Sequence, residues 1–89
     1  MVDFYADWCG PCRMLAPELE ILAEELAENK VVKIAKLDTE QNMELAQKYD
    51  IQGIPNVIIF NKGKIAQQIV GLRRKDDYKK VILEEMLKG

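Results

Sequence analysis

Apolar and polar positions along the chain change period several times, and each change marks an element. Val2 to Tyr5 is a short apolar run with one acid, Asp3, set inside it. Such a run reads as a buried strand in which the carboxylate is the anomaly. From Pro11 to Glu28, the residues Leu15, Leu19, Leu22, Ala23 and Leu26 recur at helical spacing. Glu18, Glu20, Glu24, Glu25 and Glu28 fall mostly on the opposite face, the pattern of an amphipathic helix. Pro17 lies inside it and is expected to kink it, because its ring removes a donor and crowds the carbonyl at position 13.

Val31 to Leu37 reads as a second strand, with Lys33 and Lys36 interrupting its apolar residues. Thr39 to Asn42 is expected to open a helix carrying Leu45, Ala46 and Tyr49 on one face, ended by Asp50 to Gly53. Asn56 to Phe60 reads as a third strand, Asn61-Lys62-Gly63-Lys64 as a hairpin turn, and Ile65 to Val70 as a fourth strand broken by Gly71. A last helix from Lys75 to Leu87 turns Tyr78, Val81, Ile82 and Met86 inward. The order β-α-β-α-β-β-α demands one parallel pair through a right-handed crossover and antiparallel pairing at the hairpin. The fold class is therefore α/β, a mixed four-stranded sheet flanked by helices. Nothing divides the chain, so residues 1–89 read as one domain.

Composition narrows the function. Apolar residues make up 48% and charged residues 31%, which is globular rather than disordered. A net charge of −2, from 13 basic and 15 acidic residues, argues against binding nucleic acid or an anionic membrane through bulk charge. No apolar run approaches a membrane span, and no basic and apolar leader precedes Val2, so the default compartment is the cytoplasm.

There is no histidine, and the two cysteines sit in one unit, Cys9-Gly10-Pro11-Cys12. Imidazole-assisted nucleophiles are excluded, and so is haem attachment, since Arg13 follows the second cysteine. A tetrahedral zinc site would need a second pair of ligands, so no metal is expected. Two vicinal thiols in a reducing compartment point to redox chemistry, against the bland reading of a structural disulfide closing a very short loop. Cys9 follows a strand and opens a helix, where free amides and the helix dipole favour thiolate. With Cys9 as N-cap, Pro11 has no N–H to offer, and the Cys12 amide becomes the donor to the Cys9 sulfur. Cys12, one turn inward, is expected to be the less exposed thiol.

The segment Phe4-Tyr5-Ala6-Asp7-Trp8-Cys9-Gly10-Pro11-Cys12-Arg13 resembles the active-site segment of the thioredoxin family. The likeness continues through Pro17, Ala35-Lys36-Leu37-Asp38, Gly53-Ile54-Pro55, Phe60, Lys62-Gly63 and Val70-Gly71. It implies a dithiol–disulfide oxidoreductase with Cys9 as attacking nucleophile and Cys12 as resolving thiol. It further implies that Trp8, Gly10 and Pro11 dock substrate, that Ile54-Pro55 forms a cis-proline loop facing the cysteines, and that Gly71 completes the contact surface. Asp3 matches the family's buried acid, which relays a proton to or from Cys12, and Lys36 matches that acid's lysine neighbour. The implied partners are disulfide-containing proteins and a thioredoxin reductase, with no bound cofactor.

Some positions depart from the family pattern. Asn56 stands where Thr or Ser usually follows the cis-proline, Tyr5 replaces a frequent Trp, and Arg74 replaces a capping Ser. Thioredoxins also carry a strand and helix ahead of the strand that begins here, so the resemblance implies that this first unit is absent. Val31–Leu37 would then be a sheet edge, and a weak homodimer is expected through this edge or through the sheet face that the missing helix would have covered. The rival functions are an oxidant or isomerase, whose relatives often place His between the cysteines, a redox-silent binding module, and a fragment of impaired activity.

Overall fold

The sheet is built around β1 (Val2–Tyr5), which in the computed structural model, describing residues 1–89, pairs on both sides. One neighbour is β2 (Ala35–Asp38), parallel, with Asp3 opposite Lys36 and Tyr5 opposite Asp38. The other is β3 (Asn56–Asn61), antiparallel, with Asp3 opposite Val57 and Phe4 opposite Asn56. β4 (Lys64–Val70) completes the order β2-β1-β3-β4. The helices are α1 (Gly10–Glu25), α2 (Met43–Lys48) and α3 (Lys75–Lys88). This is the mixed four-stranded α/β architecture that the alternation of patterns predicts.

Strand alternation divides the apolar residues between two layers. Val57 and Ile59 join Leu15, Leu19, Leu22 and Leu26 of α1 and Tyr78 and Ile82 of α3 in the main core. Asp3, register partner of Val57, points into this same layer. Phe4 points the other way and meets Tyr49, just past α2, at a ring separation of 5.9 Å; Tyr49 in turn meets Phe60 at 5.6 Å. α1 and α3 are tied together at their polar margin. A Glu18 carboxylate oxygen accepts from the Lys75 amide at 2.9 Å, and Glu25 pairs with both Lys75 and Lys79, at 2.8 and 2.9 Å.

Four expectations need correction. β2 is shorter than Val31–Leu37: its ladder with β1 begins at Ala35, and of the residues before it Val31 lies in a turn and the Lys33 carbonyl accepts from the Met1 amino group at 2.9 Å without continuing the strand. Thr39 to Asn42 form turns rather than a first helical turn. Asp38 takes the Glu40 amide on its carboxylate and the Gln41 amide on its carbonyl, while Thr39 bonds the Tyr5 carbonyl through both its amide and its hydroxyl. α1 passes through Pro17 but stops at Glu25, where the Ala27 amide switches to the carbonyl of Glu24. Met86 lies at the margin of the core, 37% exposed, rather than inside it. The hairpin turn follows the pattern, with Lys62 and Gly63 both at positive φ, 55° and 80°.

Candidate active site

The chain leaves β1 at Tyr5, and the Cys9 amide donates back to the Ala6 carbonyl at 3.1 Å. That turn sets Cys9 at the N-cap of α1 with extended backbone (φ −84°, ψ 112°). Gly10 and Pro11 fill the first two helical positions, where Pro is tolerated because its missing N–H has no intrahelical partner to lose. The Cys12 amide donates to the Cys9 sulfur at 3.2 Å, as the N-cap argument requires. Cys9 and Cys12 are joined as a disulfide, their Cα atoms 5.2 Å apart.

Burial does not rank the two cysteines as expected, since each is only 4% exposed. Cys9 is covered from across the sheet. Its sulfur faces the Ile54 carbonyl at 3.9 Å, and the pair packs with Ala6 against Tyr5 and Ile54. The Ile54–Pro55 peptide bond is cis, and Pro55 is buried. The Pro55 carbonyl accepts from the Gly71 amide at 2.8 Å, so the loop facing the cysteines is held by the end of β4. Gly71 sits at φ +95°, a conformation that suits glycine. Asn56 is also buried, and its side-chain oxygen accepts from Gln68 across the β3–β4 ladder at 3.1 Å.

Trp8 stands beside this group, 68% exposed, with its indole N–H donating to the Glu40 carboxylate. Gly10 and Pro11 are exposed as well. Glu40 was not legible as a site residue, because nothing local in the sequence links positions 8 and 40. The turn that Asp38 and Thr39 organise brings Glu40 there.

Asp3 and Lys36 form a second group. Asp3 is fully buried, and neither carboxylate oxygen has a hydrogen-bond partner. Burial pushes its pKa up to about 6, with the Lys36 charge pulling the other way. Lys36 is exposed, and its ammonium lies 4.6 Å from the centroid of the Tyr5 ring. Since Tyr5 packs on the cysteines, it links the two groups. Tyr78 adds a buried hydroxyl that lies near the Arg73 backbone without forming a well-aligned hydrogen bond; burial, and then the nearby Asp3 charge, push its pKa up to about 12. The periodicity placed Tyr78 inward but carried no sign that its polar end would share a layer with Asp3.

A helix-capping cysteine bonded to a second one turn on, under a cis-proline loop of a mixed α/β sheet, defines a thiol–disulfide exchange protein. Comparison with known proteins agrees. The thioredoxin family model matches residues 1–84. Over 82 residues the chain is 44% identical to thioredoxin of Chlamydia trachomatis serovar D, covering 92% of this chain and 78% of that one. The thioredoxin of Bacillus subtilis is 37% identical over 82 residues, covering 92% and 77%. Among solved structures, Fasciola hepatica thioredoxin superposes with a TM-score of 0.81 at 38% identity, covering 92% of this chain and 76% of that one. A mutant thioredoxin from Halobacterium salinarum does so at 0.79 and 40% identity, covering 94% and 71%. The chain belongs to the thioredoxin family and is a thiol–disulfide oxidoreductase. No helix is long and apolar enough to cross a membrane.

Proposed function

We propose that residues 1–89 act as one domain whose dithiol form reduces protein disulfides. The Cys9 thiolate attacks one sulfur of the substrate disulfide, forming a Cys9–substrate bond and releasing the other substrate cysteine as thiolate. Cys12, once deprotonated, attacks the Cys9 sulfur, releases the second substrate thiol and leaves the Cys9–Cys12 disulfide, so two electrons pass to the substrate. The observation that carries this reading is the Cys12 amide aimed at the Cys9 sulfur from a helix N-terminus, which favours thiolate at Cys9.

The other roles follow the family pattern. Trp8, Gly10, Pro11, Ile54, Pro55 and Gly71 bind the extended substrate chain around the cysteines. Asp3, assisted by Lys36, exchanges a proton with Cys12 during resolution; an acid with its pKa near 6 is suited to gain and lose a proton near neutrality. Disulfide-containing proteins are the substrates, a thioredoxin reductase restores the dithiol, no cofactor is held, and the cytoplasm is the working compartment.

The test is insulin reduction followed by turbidity, with dithiothreitol as electron source. Catalysis is expected above the dithiothreitol background, abolished in Cys9→Ser, while Cys12→Ser accumulates a mixed disulfide with substrate. Folded wild-type protein without catalysis, or catalysis that persists in Cys9→Ser, overturns the reading.

Weak self-association through β2 belongs to the same proposal. Ala35 and Thr39 donate inward to the carbonyls of Met1 and Tyr5, so the alternation turns the backbone groups of Lys36 and the amide of Asp38 outward, while the Asp38 carbonyl is taken by the Gln41 amide and the Asn42 side chain. Antiparallel pairing of two copies about Leu37 sets Lys36 opposite the partner's Asp38, twice. The neighbouring registers oppose lysine to lysine or aspartate to aspartate, so charge selects this one.

A further inference from the structure

We propose that Arg73 and Arg74 make the surface beside Gly71 a selector for disulfide substrates whose attacked cysteine is flanked by acidic side chains. This rests on the reductase reading and names the substrate class it favours.

The strip from Cys9 to Gly71 is continuous. The Cys9 sulfur faces Ile54, Pro55 follows, and the Pro55 carbonyl holds the Gly71 amide. Arg73 lies against the end of that strip, its guanidinium 3.6 Å from the position a Cβ on Gly71 would occupy. It is held there by donation to the Leu72 carbonyl at 3.3 Å. Beyond it opens a cleft of about 520 Å³ lined by Met14, Glu18, Leu72, Arg73, Arg74 and Asp77.

Two of those residues are acids, but both are engaged at the start of α3. Glu18 accepts from the Lys75 amide at 2.9 Å and Asp77 from the Arg74 amide at 3.2 Å. Lys75 is itself paired with Glu25 and Asp76. Glu18 and Asp77 keep their negative charge, so the cleft as a whole is balanced; what stands nearest Gly71 is the Arg73 guanidinium, which, like Arg74, is exposed and forms no ion pair. Exposed Met14 and Leu72 offer apolar contact for the rest of the segment. On the Trp8 side an exposed acid, Glu40, accepts from the indole N–H.

A protein with net charge −2 thus places one unpaired guanidinium, that of Arg73, at the Gly71 end of the strip that starts at its cysteines. An acidic segment laid along Gly71 would gain charge-assisted contacts there, and a basic one would be repelled. Guanidinium groups also offer the forked donors that match carboxylates. Surface charge acts mainly on encounter, so the preference appears in kcat/KM and fades with salt.

The experiment uses two synthetic peptides with the same disulfide, one with Glu and one with Lys at the positions flanking the cysteine. Their reduction by the full chain is followed with dithiothreitol regeneration. At low ionic strength the acidic peptide is expected to be reduced about three- to tenfold faster in kcat/KM. The ratio should fall towards one in Arg73→Gln/Arg74→Gln and invert in Arg73→Glu/Arg74→Glu, while Arg73→Lys/Arg74→Lys largely keeps it. Thermal melts confirm that each variant is folded. Equal rates for the two peptides, or a ratio unchanged in the glutamate variant, overturn the proposal while leaving the reductase reading intact. Failure to reduce either peptide, with a folded protein, overturns both.

Discussion

The Cys12 amide nitrogen lies 3.2 Å from the Cys9 sulfur, and the residue before it, Pro11, has no N–H to add. The sulfur at this helix terminus is therefore held by fewer donors than the fold could supply. Strong thiolate stabilisation favours the dithiol and makes a protein an oxidant, so a withheld donor suits a reductant.

Pro11→Ala restores that amide. It is expected to raise the fraction of Cys9 present as thiolate near neutrality and to make the Cys9–Cys12 couple more oxidising. Faster alkylation of the reduced protein by iodoacetamide at neutral pH, together with a potential shifted upward against glutathione, is the expected outcome. Unchanged alkylation would show that the second amide does not reach the sulfur.

Asp3 is buried without a hydrogen-bond partner, and its folded pKa is raised from 3.8 to about 6. The folded state thus holds its proton more tightly than the unfolded chain. Its relative contribution to stability is fully present below about pH 4 and is lost as pH rises through about 6. Asp3→Asn should therefore stabilise the fold above pH 6, by at most about 3 kcal/mol for a shift of about two units, with the gain shrinking towards pH 4. Urea unfolding of both proteins across pH measures this. The same variant should slow resolution of the mixed disulfide. A stability difference that does not vary with pH would mean that the carboxylate is hydrated.

Tyr78 buries a hydroxyl in the layer that holds Asp3, near the Arg73 backbone but not in hydrogen-bond geometry with it. An unsatisfied buried hydroxyl costs about 1–3 kcal/mol, and its ring provides the packing. Tyr78→Phe should be neutral or stabilising by about 1 kcal/mol in urea denaturation. A clear loss of stability would reveal that the hydroxyl is bonded in solution.

The β2 edge is tested by charge exchange. Sedimentation of the 89-residue chain over a concentration series should show a weak dimer, as fits a small interface. Lys36→Asp or Asp38→Lys alone should weaken it several-fold, since like charges then oppose across the strands, and the double exchange should restore it. A monomeric mass at high concentration, or no recovery in the double variant, rules this register out.

Much of the molecule is legible in the sequence because the forces concerned act over a few residues. Cys9, Pro11 and Cys12 lie within one helical turn, so capping geometry and the withheld amide follow from their spacing. Strand and helix periods are equally local, as is the Lys62-Gly63 turn, and the buried acid in Val2–Tyr5 stands out against its neighbours. The tertiary structure decided what depends on contacts far apart in the chain. Val31 to Ile34 carry strand-forming residues, yet a strand needs a partner and theirs begins at Ala35. Cys9 is as buried as Cys12 because a loop 45 residues away covers it. Glu40 reaches Trp8, Tyr78 shares a layer with Asp3, and Arg73 lies against Gly71 because the fold places them there. Such contacts leave no periodic trace, since each needs only one side chain at the right place, whereas a strand or helix imposes its spacing on every residue it contains.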